Sequence, residues 1–245
     1  MDCNLSGRPL RDQALRRLRA VLQEASVHAI TPVDLVLGAR EPVLRLQEKQ
    51  SSKVVDITMN GHHVLQKSRL LRTYMQSKNV LALTRLLKAW AKSRGLYGYQ
   101  RHFHLTGYGY TLLVVHFFQK CHGLEALPVA LGDVAQAPRQ LVDCKSTEAL
   151  STSAHQFAQL CAYYWSLWKS GEPWRVSIRE GPCSAPPSRP GAQVVLSIED
   201  PVEVELDVGL MHMTPATTQA LMDGFRDVLD AAQLGGDPFQ TPQPG

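Results

Sequence analysis

The segment LKAWAKSRG, residues 87–95, is the most informative stretch of this chain about its fold. Its apolar residues continue a helical periodicity that begins upstream, and its final glycine is typical of a helix end. Three cations, Arg85, Lys88 and Lys92, share the face opposite the apolar stripe. The pattern therefore predicts a helix, residues 80–94, whose basic face is either solvated or holds an anion. The apolar stripe consists of Val80, Leu83, Leu87, Trp90 and Ala91.

A second informative segment is VVDIT, residues 54–58. Its alternation predicts a strand with Val55 and Ile57 on one face and Asp56 on the other. A carboxylate on a sheet face is either a solvated side chain or a ligand for a cation. The segment alone favours the solvated side chain.

The rest of the chain is mainly helical in its periodicity. The predicted helices are residues 11–24, 68–77, 80–94, 108–121 and 153–169, with a last helix that starts near Thr214-Pro215. The predicted strands are residues 42–46, 53–58, 175–179 and 193–198. Residues 181–191 are rich in Pro, Ser and Gly and predict a loop, and the tail is predicted to be disordered.

Composition excludes several classes of protein. The net charge of +4 permits a polyanionic partner without identifying one. The five scattered cysteines form no CxxC pair, which indicates reduced thiols in an intracellular protein. No apolar run approaches the ~18 residues of a membrane span. The pairs His62-His63 and His102/His104 lack companion ligands at zinc spacing and are predicted to be turn or surface histidines.

Five blocks follow one another in an order that resembles the RNA terminal nucleotidyltransferases, the terminal uridylyltransferases and poly(A) polymerase-like proteins. They are VVDIT at 54–58, KSRLLRTY at 67–74, LKAWAKSRG at 87–95, LTGY at 105–108 and IEDP at 198–201. Each block is weak alone, and the order over most of the chain makes the resemblance specific.

The resemblance implies an α+β architecture. Residues 1–60 would form a partial nucleotidyltransferase palm with a mixed sheet. Residues 61–235 would form a mainly helical central domain with a PAP-associated portion, and residues 236–245 a disordered tail.

The resemblance also implies a site. Asp2 and Asp56 would be catalytic carboxylates that hold Mg²⁺ or Mn²⁺. Lys88 and Lys92 would bind the triphosphate, and Tyr108 would stack on the base. The remaining expected nucleotide contacts are Ser68 near the sugar and phosphates, and Asp200 and Glu203 near the base edge.

Four positions depart from the family pattern. Asn4 stands where a second aspartate is expected, which removes about one charge of metal ligation. Lys67 replaces an asparagine that reads the ribose, Gly107 replaces a serine whose hydroxyl could hold phosphate, and Leu206 replaces a histidine typical of uridylyl-specific members. The family's Gly-Ser phosphate loop would precede Asp2, so we expect either a chain that begins inside the catalytic domain or one that has lost catalysis.

The implied function is the addition of UMP or AMP to RNA 3′ ends, with UTP or ATP as substrate and no membrane partner. The alternative is a catalytically impaired relative that acts as a binding or scaffolding subunit of a protein complex. Both cytoplasmic and mitochondrial locations are compatible with the motifs.

Overall fold

The computed structural model describes residues 8–25, 29–38, 41–59, 62–98, 103–127, 153–171, 174–179 and 195–234. The chain divides into two compact units, Met1–Leu65 and Gln66–Gly245. Each unit has its own hydrophobic core. The first unit combines a three-stranded sheet with a helix and the second is mainly helical, so the α+β class predicted from the sequence is confirmed.

The first unit is an antiparallel sheet with one helix. The sheet order is β1-β2-β3, and both strand pairs are antiparallel. A mixed sheet was predicted, but the stretch around Asp2 that would supply its further strand lies outside the described residues. The elements are α1 (Arg8–Glu24), β1 (Ile30–Val36), β2 (Val43–Glu48) and β3 (Val54–Thr58).

Strand β1 was not predicted from the sequence. It contains Pro32, which cannot donate to a ladder and is therefore confined to edge strands or bulges. The structure has both features, because β1 is an edge strand and its register with β2 shifts between Pro32 and Asp34. Most of its residues are exposed or half-buried, so the sequence carries no clear alternation there.

Helix α1 covers the sheet through Leu15, which packs with Leu44 and Leu46 in a small core. The helical periodicity of residues 11–24 puts Ala14, Leu18, Val21 and Leu22 on one apolar face. Leu18 and Leu22 do pack against this core, whereas Val21 is 54% exposed.

The second unit is built around one buried helix, α4. All its residues from Gly109 to Gln119 are buried. Because the helix has no exposed face over this stretch, its sequence is too apolar to show an amphipathic pattern. The elements, of which α2 crosses the unit boundary, are α2 (His62–Tyr74), α3 (Lys78–Ser93), α4 (Gly107–His122), α5 (Ser153–Lys169), β4 (Arg175–Val176), β5 (Ser197–Ile198), α6 (Val208–His212) and α7 (Pro215–Gln233).

The predicted apolar stripe of α3 forms the centre of this core. Trp90 stacks on Phe225 of α7 at 5.4 Å between ring centroids and meets Phe157 of α5 edge-on at 5.6 Å. Helix α7 begins where the sequence placed it, since Thr214 caps it in a capping box followed by Pro215. These local predictions are confirmed.

The strands of the second unit are shorter than predicted. β4 ends at Val176, and the carbonyl of Ile178 accepts from the side chain of Gln119 instead of joining a ladder. The one-turn helix α6 was not predicted. Residues 181–191 and 236–245 lie outside the described residues, so their predicted loop and tail are not addressed. Among the described helices, none is long and apolar enough to cross a membrane.

Candidate functional site

Helix α3 presents Lys88 and Lys92 one turn apart because its opposite face is fixed in the core. Lys88 is half-buried and Lys92 is exposed. Burial lowers the pKa of Lys88, and the neighbouring charge of Lys92 lowers it further. Two ammonium groups are thus held together at a cost, which an anion would relieve.

Tyr97 follows the end of α3 and lies beside this pair. The Nζ of Lys92 is 4.9 Å from the centroid of the Tyr97 ring, within cation–π range. The Tyr97 ring also lies nearly parallel to the ring of Tyr110, at 5.9 Å between centroids. Tyr110 is itself fixed, because its hydroxyl donates to the carbonyl of Leu96 at 2.8 Å.

Gly107, the first residue of α4, leaves room for the Tyr97 hydroxyl. A Cβ at position 107 would overlap the Tyr97 oxygen and would lie 3.6 Å from Cε of Lys88. The start of α4 therefore lies directly against Tyr97 and Lys88.

Tyr108 connects the start of α4 to two acidic residues. Its hydroxyl donates to Oδ2 of Asp200 at 3.3 Å, and Nζ of Lys67 lies 5.6 Å from its ring centroid. Burial raises the pKa of Tyr108 well above its usual value, and the Asp200 carboxylate raises it further. The phenol is therefore a neutral hydrogen-bond donor at physiological pH.

Lys67 on α2 bridges the two acids. Its Nζ lies 2.6 Å from Oδ2 of Asp200 and 2.5 Å from Oε2 of Glu203. The Asp200 side chain is only 2% exposed. Its other oxygen, Oδ1, accepts from the backbone N–H groups of Val202 and Glu203, each at 3.0 Å. Asp200 is thus fully engaged within the protein.

Asp207 shapes the loop that carries these acids. It accepts from the Ser197 hydroxyl through Oδ2, and from the N–H groups of Ile198 and Leu210 through Oδ1. The loop closes where Asp200 N–H donates to the carbonyl of Leu206 at 3.0 Å. One buried carboxylate therefore ties strand β5, the loop and helix α6 together.

The contacts above define a lysine–tyrosine cluster in the second unit. It contains five of the six predicted nucleotide-binding residues, and Lys67, Tyr97 and Gly107 complete it. Ser68, the sixth, is exposed on α2 and is rotated by about 100° around the helix axis from Lys67. The five predicted members are Lys88, Lys92, Tyr108, Asp200 and Glu203.

Asp56 belongs to the first unit, where it pairs with Arg45 across the β2–β3 ladder. The guanidinium donates to both carboxylate oxygens, from Nε at 2.8 Å and from Nη2 at 3.0 Å. A metal ion at Asp56 would have to compete with this bidentate pair. Neither Asp2 nor Asn4 is among the described residues.

The expected metal site is therefore not formed by the described part of the chain. In those ranges no three His, Cys, Asp or Glu side chains are grouped so as to hold a metal ion. Of the two predicted ligands, the one that is described has both oxygens engaged by a cation. The described residues alone therefore do not complete a two-metal centre, and Asp2, the other expected ligand, lies outside them.

Several of these partners were not predicted from the sequence. Lys67 was identified only as a departure next to Ser68, and Tyr97 and Asp207 were not singled out. The pairing of Arg45 with Asp56 could have been predicted. If VLRLQE and VVDIT form an antiparallel hairpin, Arg45 lies opposite Asp56. No local pattern points to Lys67, which is 136 residues from Glu203.

Comparison with protein-family models gives no match, and comparison with curated protein sequences gives none either. Solved structures do match. Terminal uridylyl transferase 4 from Trypanosoma brucei with bound UPU has a TM-score of 0.70 at 21% identity, covering 96% of this chain and 76% of that one. The same enzyme with bound GTP has a TM-score of 0.71.

A mitochondrial poly(A) polymerase, mtPAP in complex with UTP, has a TM-score of 0.74 at 18% identity. It is covered over 51% of its length, while 95% of this chain is matched. The chain thus spans about three quarters of one matched protein and about half of the other. These similarities show that the chain has the terminal uridylyltransferase and poly(A) polymerase fold, as the sequence blocks predicted.

Proposed function

We propose that this chain, which has the fold of RNA terminal nucleotidyltransferases, binds a nucleoside triphosphate at the lysine–tyrosine cluster and adds UMP or AMP to RNA 3′ ends. The observation that carries the proposal is the meeting of the Lys88–Lys92 pair with the start of α4. Two repelling ammonium groups would be stabilised by the polyanionic phosphates.

The base would lie at the other end of the cluster. Tyr108 offers an aromatic face, and base stacking on such a face is worth about 1 to 3 kcal/mol and tolerates any base. Asp200 holds the Tyr108 hydroxyl and the Lys67 ammonium in place, and Glu203 and Lys67 would present an acceptor and a donor to the base edge. This mixture of donors and acceptors is compatible with both UTP and ATP. Terminal uridylyl transferase 4 and mtPAP have both been solved with nucleotides bound.

A second function is favoured by one specific observation. Asp56 accepts two hydrogen bonds from Arg45, which leaves the described residues without a free carboxylate pair for metal ions. A chain that binds nucleotide but does not transfer it would act as a binding or scaffolding subunit. The PAP-associated portion and the cytoplasmic or mitochondrial location remain predictions from the resemblance.

The test measures binding and transfer separately. The chain is titrated with UTP and with ATP, and is also incubated with single-stranded RNA, Mg²⁺ or Mn²⁺, and each nucleotide. Binding together with RNA extension is the result expected for the enzyme, and binding without extension is the result expected for the subunit. A chain that binds neither nucleotide overturns both functions.

The matched variants lie on one helix. Lys88→Gln/Lys92→Gln should abolish nucleotide binding, whereas Lys78→Gln, an exposed lysine at the start of α3, should leave it unchanged. Equal effects in both variants would contradict the assignment of the phosphate contacts.

A further inference from the structure

We propose that Tyr97 is a phosphate-binding residue of this site, and that its hydroxyl occupies the room that a side chain at position 107 would otherwise fill. The inference rests on the proposed function and adds to it a residue that the sequence blocks do not contain.

Gly107 and Tyr97 are in direct contact. A Cβ built at position 107 would overlap the Tyr97 hydroxyl oxygen, and the nearest atom of any other side chain would be Cε of Lys88 at 3.6 Å. The hydroxyl therefore lies where a residue 107 side chain would begin, on the side of α4 that faces the lysine pair. A serine hydroxyl at position 107 and the Tyr97 hydroxyl cannot both occupy this volume.

The position of the hydroxyl is fixed on three sides. The Tyr97 ring stacks on the buried Tyr110, and the Lys92 ammonium lies over it at 4.9 Å. The backbone is fixed as well, because Gly98 N–H donates to the carbonyl of Leu105 at 3.0 Å. This bond joins the segment that carries Tyr97 to the segment that leads into α4. A donor held in place before binding loses little entropy when a ligand arrives.

The chemistry suits phosphate. Lys88 and Lys92 supply charge at the ends of long, flexible side chains, whereas a phenol on a stacked ring donates its hydrogen bond from a fixed position. Hydrogen bonds to a charged acceptor are the stronger class, so loss of this one should weaken triphosphate binding about tenfold.

The experiment compares wild type, Tyr97→Phe and Tyr97→Phe/Gly107→Ser. Tyr163→Phe is the control, because Tyr163 lies on α5 and contacts His116 and Phe117, nine or more residues along α4 from Gly107. Each is titrated with ATP, UTP, inorganic tripolyphosphate, adenosine and uridine. We expect Tyr97→Phe to bind ATP, UTP and tripolyphosphate about tenfold more weakly, with nucleoside binding unchanged. The double variant should recover most of the loss, because the nearest remaining ring atom, Cζ, is 3.3 Å from the new Cβ.

Other results overturn the inference. Unchanged tripolyphosphate binding in Tyr97→Phe, or an equal loss for nucleosides, would show that the ring only packs. If Tyr97→Phe/Gly107→Ser folds but does not regain triphosphate affinity, a hydroxyl beside position 107 does not contribute to phosphate binding. If wild type binds no triphosphate at all, the proposed function itself fails.

Discussion

The ammonium group of Lys67 lies 2.6 Å from Oδ2 of Asp200, a carboxylate whose side chain is 2% exposed. The same ammonium reaches Glu203 at 2.5 Å, so one lysine neutralises part of a buried acidic pair. Lys67 stands where the family pattern has an asparagine. Lysine in place of asparagine therefore has two effects. It changes the residue expected beside the ribose, and it adds a cation to the two acids expected to contact the edge of the base.

Removing this lysine should destabilise the fold. Lys67→Gln leaves Asp200 buried without its cation, and breaking a buried pair from one side costs about 3 kcal/mol. Chemical denaturation should show a free energy of unfolding lower by that amount. Adding Asp200→Asn should recover part of it, because the amide oxygen can still accept from the two N–H groups that bond Oδ1. If the double variant is no more stable than the single one, the loss has another cause.

As the pH rises into the alkaline range, the affinity for triphosphate should fall. The fall should occur at a lower pH than it would if Lys88 had the pKa of an ordinary lysine. The pKa of Lys88 lies below 10.5, through burial first and the charge of Lys92 second. As pH rises through this lowered pKa, Lys88 loses its charge and the phosphates lose a partner.

In Lys92→Met the repulsion disappears, so the fall should move to higher pH. The pH dependence of the Kd for tripolyphosphate tests this, with Lys78→Met as the control. A fall at the same pH in both variants would contradict coupling between the two lysines.

Acid should destabilise the second unit through His116. Burial lowers the pKa of His116 from 6.5 to about 3, and the Lys120 charge adds to the shift. Between these values the unfolded chain binds a proton that the folded chain does not, so stability falls as pH falls, at about 1.4 kcal/mol per unit from this group.

His116→Gln should flatten this dependence, since glutamine can bond the Tyr164 hydroxyl without titrating. Thermal melts between pH 7 and pH 4 would measure it, and the exposed His62→Gln serves as control. An unchanged slope in His116→Gln would assign the acid sensitivity to other groups.

Gly107→Ala should destabilise the chain although alanine is the better helix former. The helix gains at most about 1 kcal/mol, whereas overlap with the Tyr97 hydroxyl costs about 1 to 3 kcal/mol. In a Tyr97→Phe background the same substitution should become neutral or stabilising. Unfolding of the four proteins of this cycle measures the coupling, and zero coupling would contradict the contact between the two residues.

Asp56→Asn should separate stability from chemistry. The Arg45–Asp56 pair is partly exposed, and pairs of this kind contribute about 1 kcal/mol or less. We expect an almost unchanged melting temperature with loss of RNA extension. Asp34→Asn on β1 is the matched control and should keep both. Retained extension in Asp56→Asn would remove this carboxylate from the catalytic role.

The confirmed predictions concern features that depend on contacts between residues close together in the sequence. Helix α5 was predicted with the bounds that it has, Ser153–Lys169, because helical periodicity repeats every three or four residues. The cap at Thr214 was predicted for the same reason, since its partner Thr217 is three residues away. Strand β1 was not predicted because Pro32 argues against a strand in a local reading of the sequence. The strand forms by pairing with β2, which is a separate segment of the chain.

The amino-acid sequence alone is enough to predict most of the helices, the faces that they bury, and the order of the blocks that identifies the fold. The side-chain pairs become visible only in the folded chain: Lys67 with Asp200 and Glu203, Tyr97 with Gly107, and Arg45 with Asp56. Helix formation depends on contacts three or four residues apart, whereas the pairing of Lys67 with Glu203 depends on how helices and loops separated by 136 residues pack together.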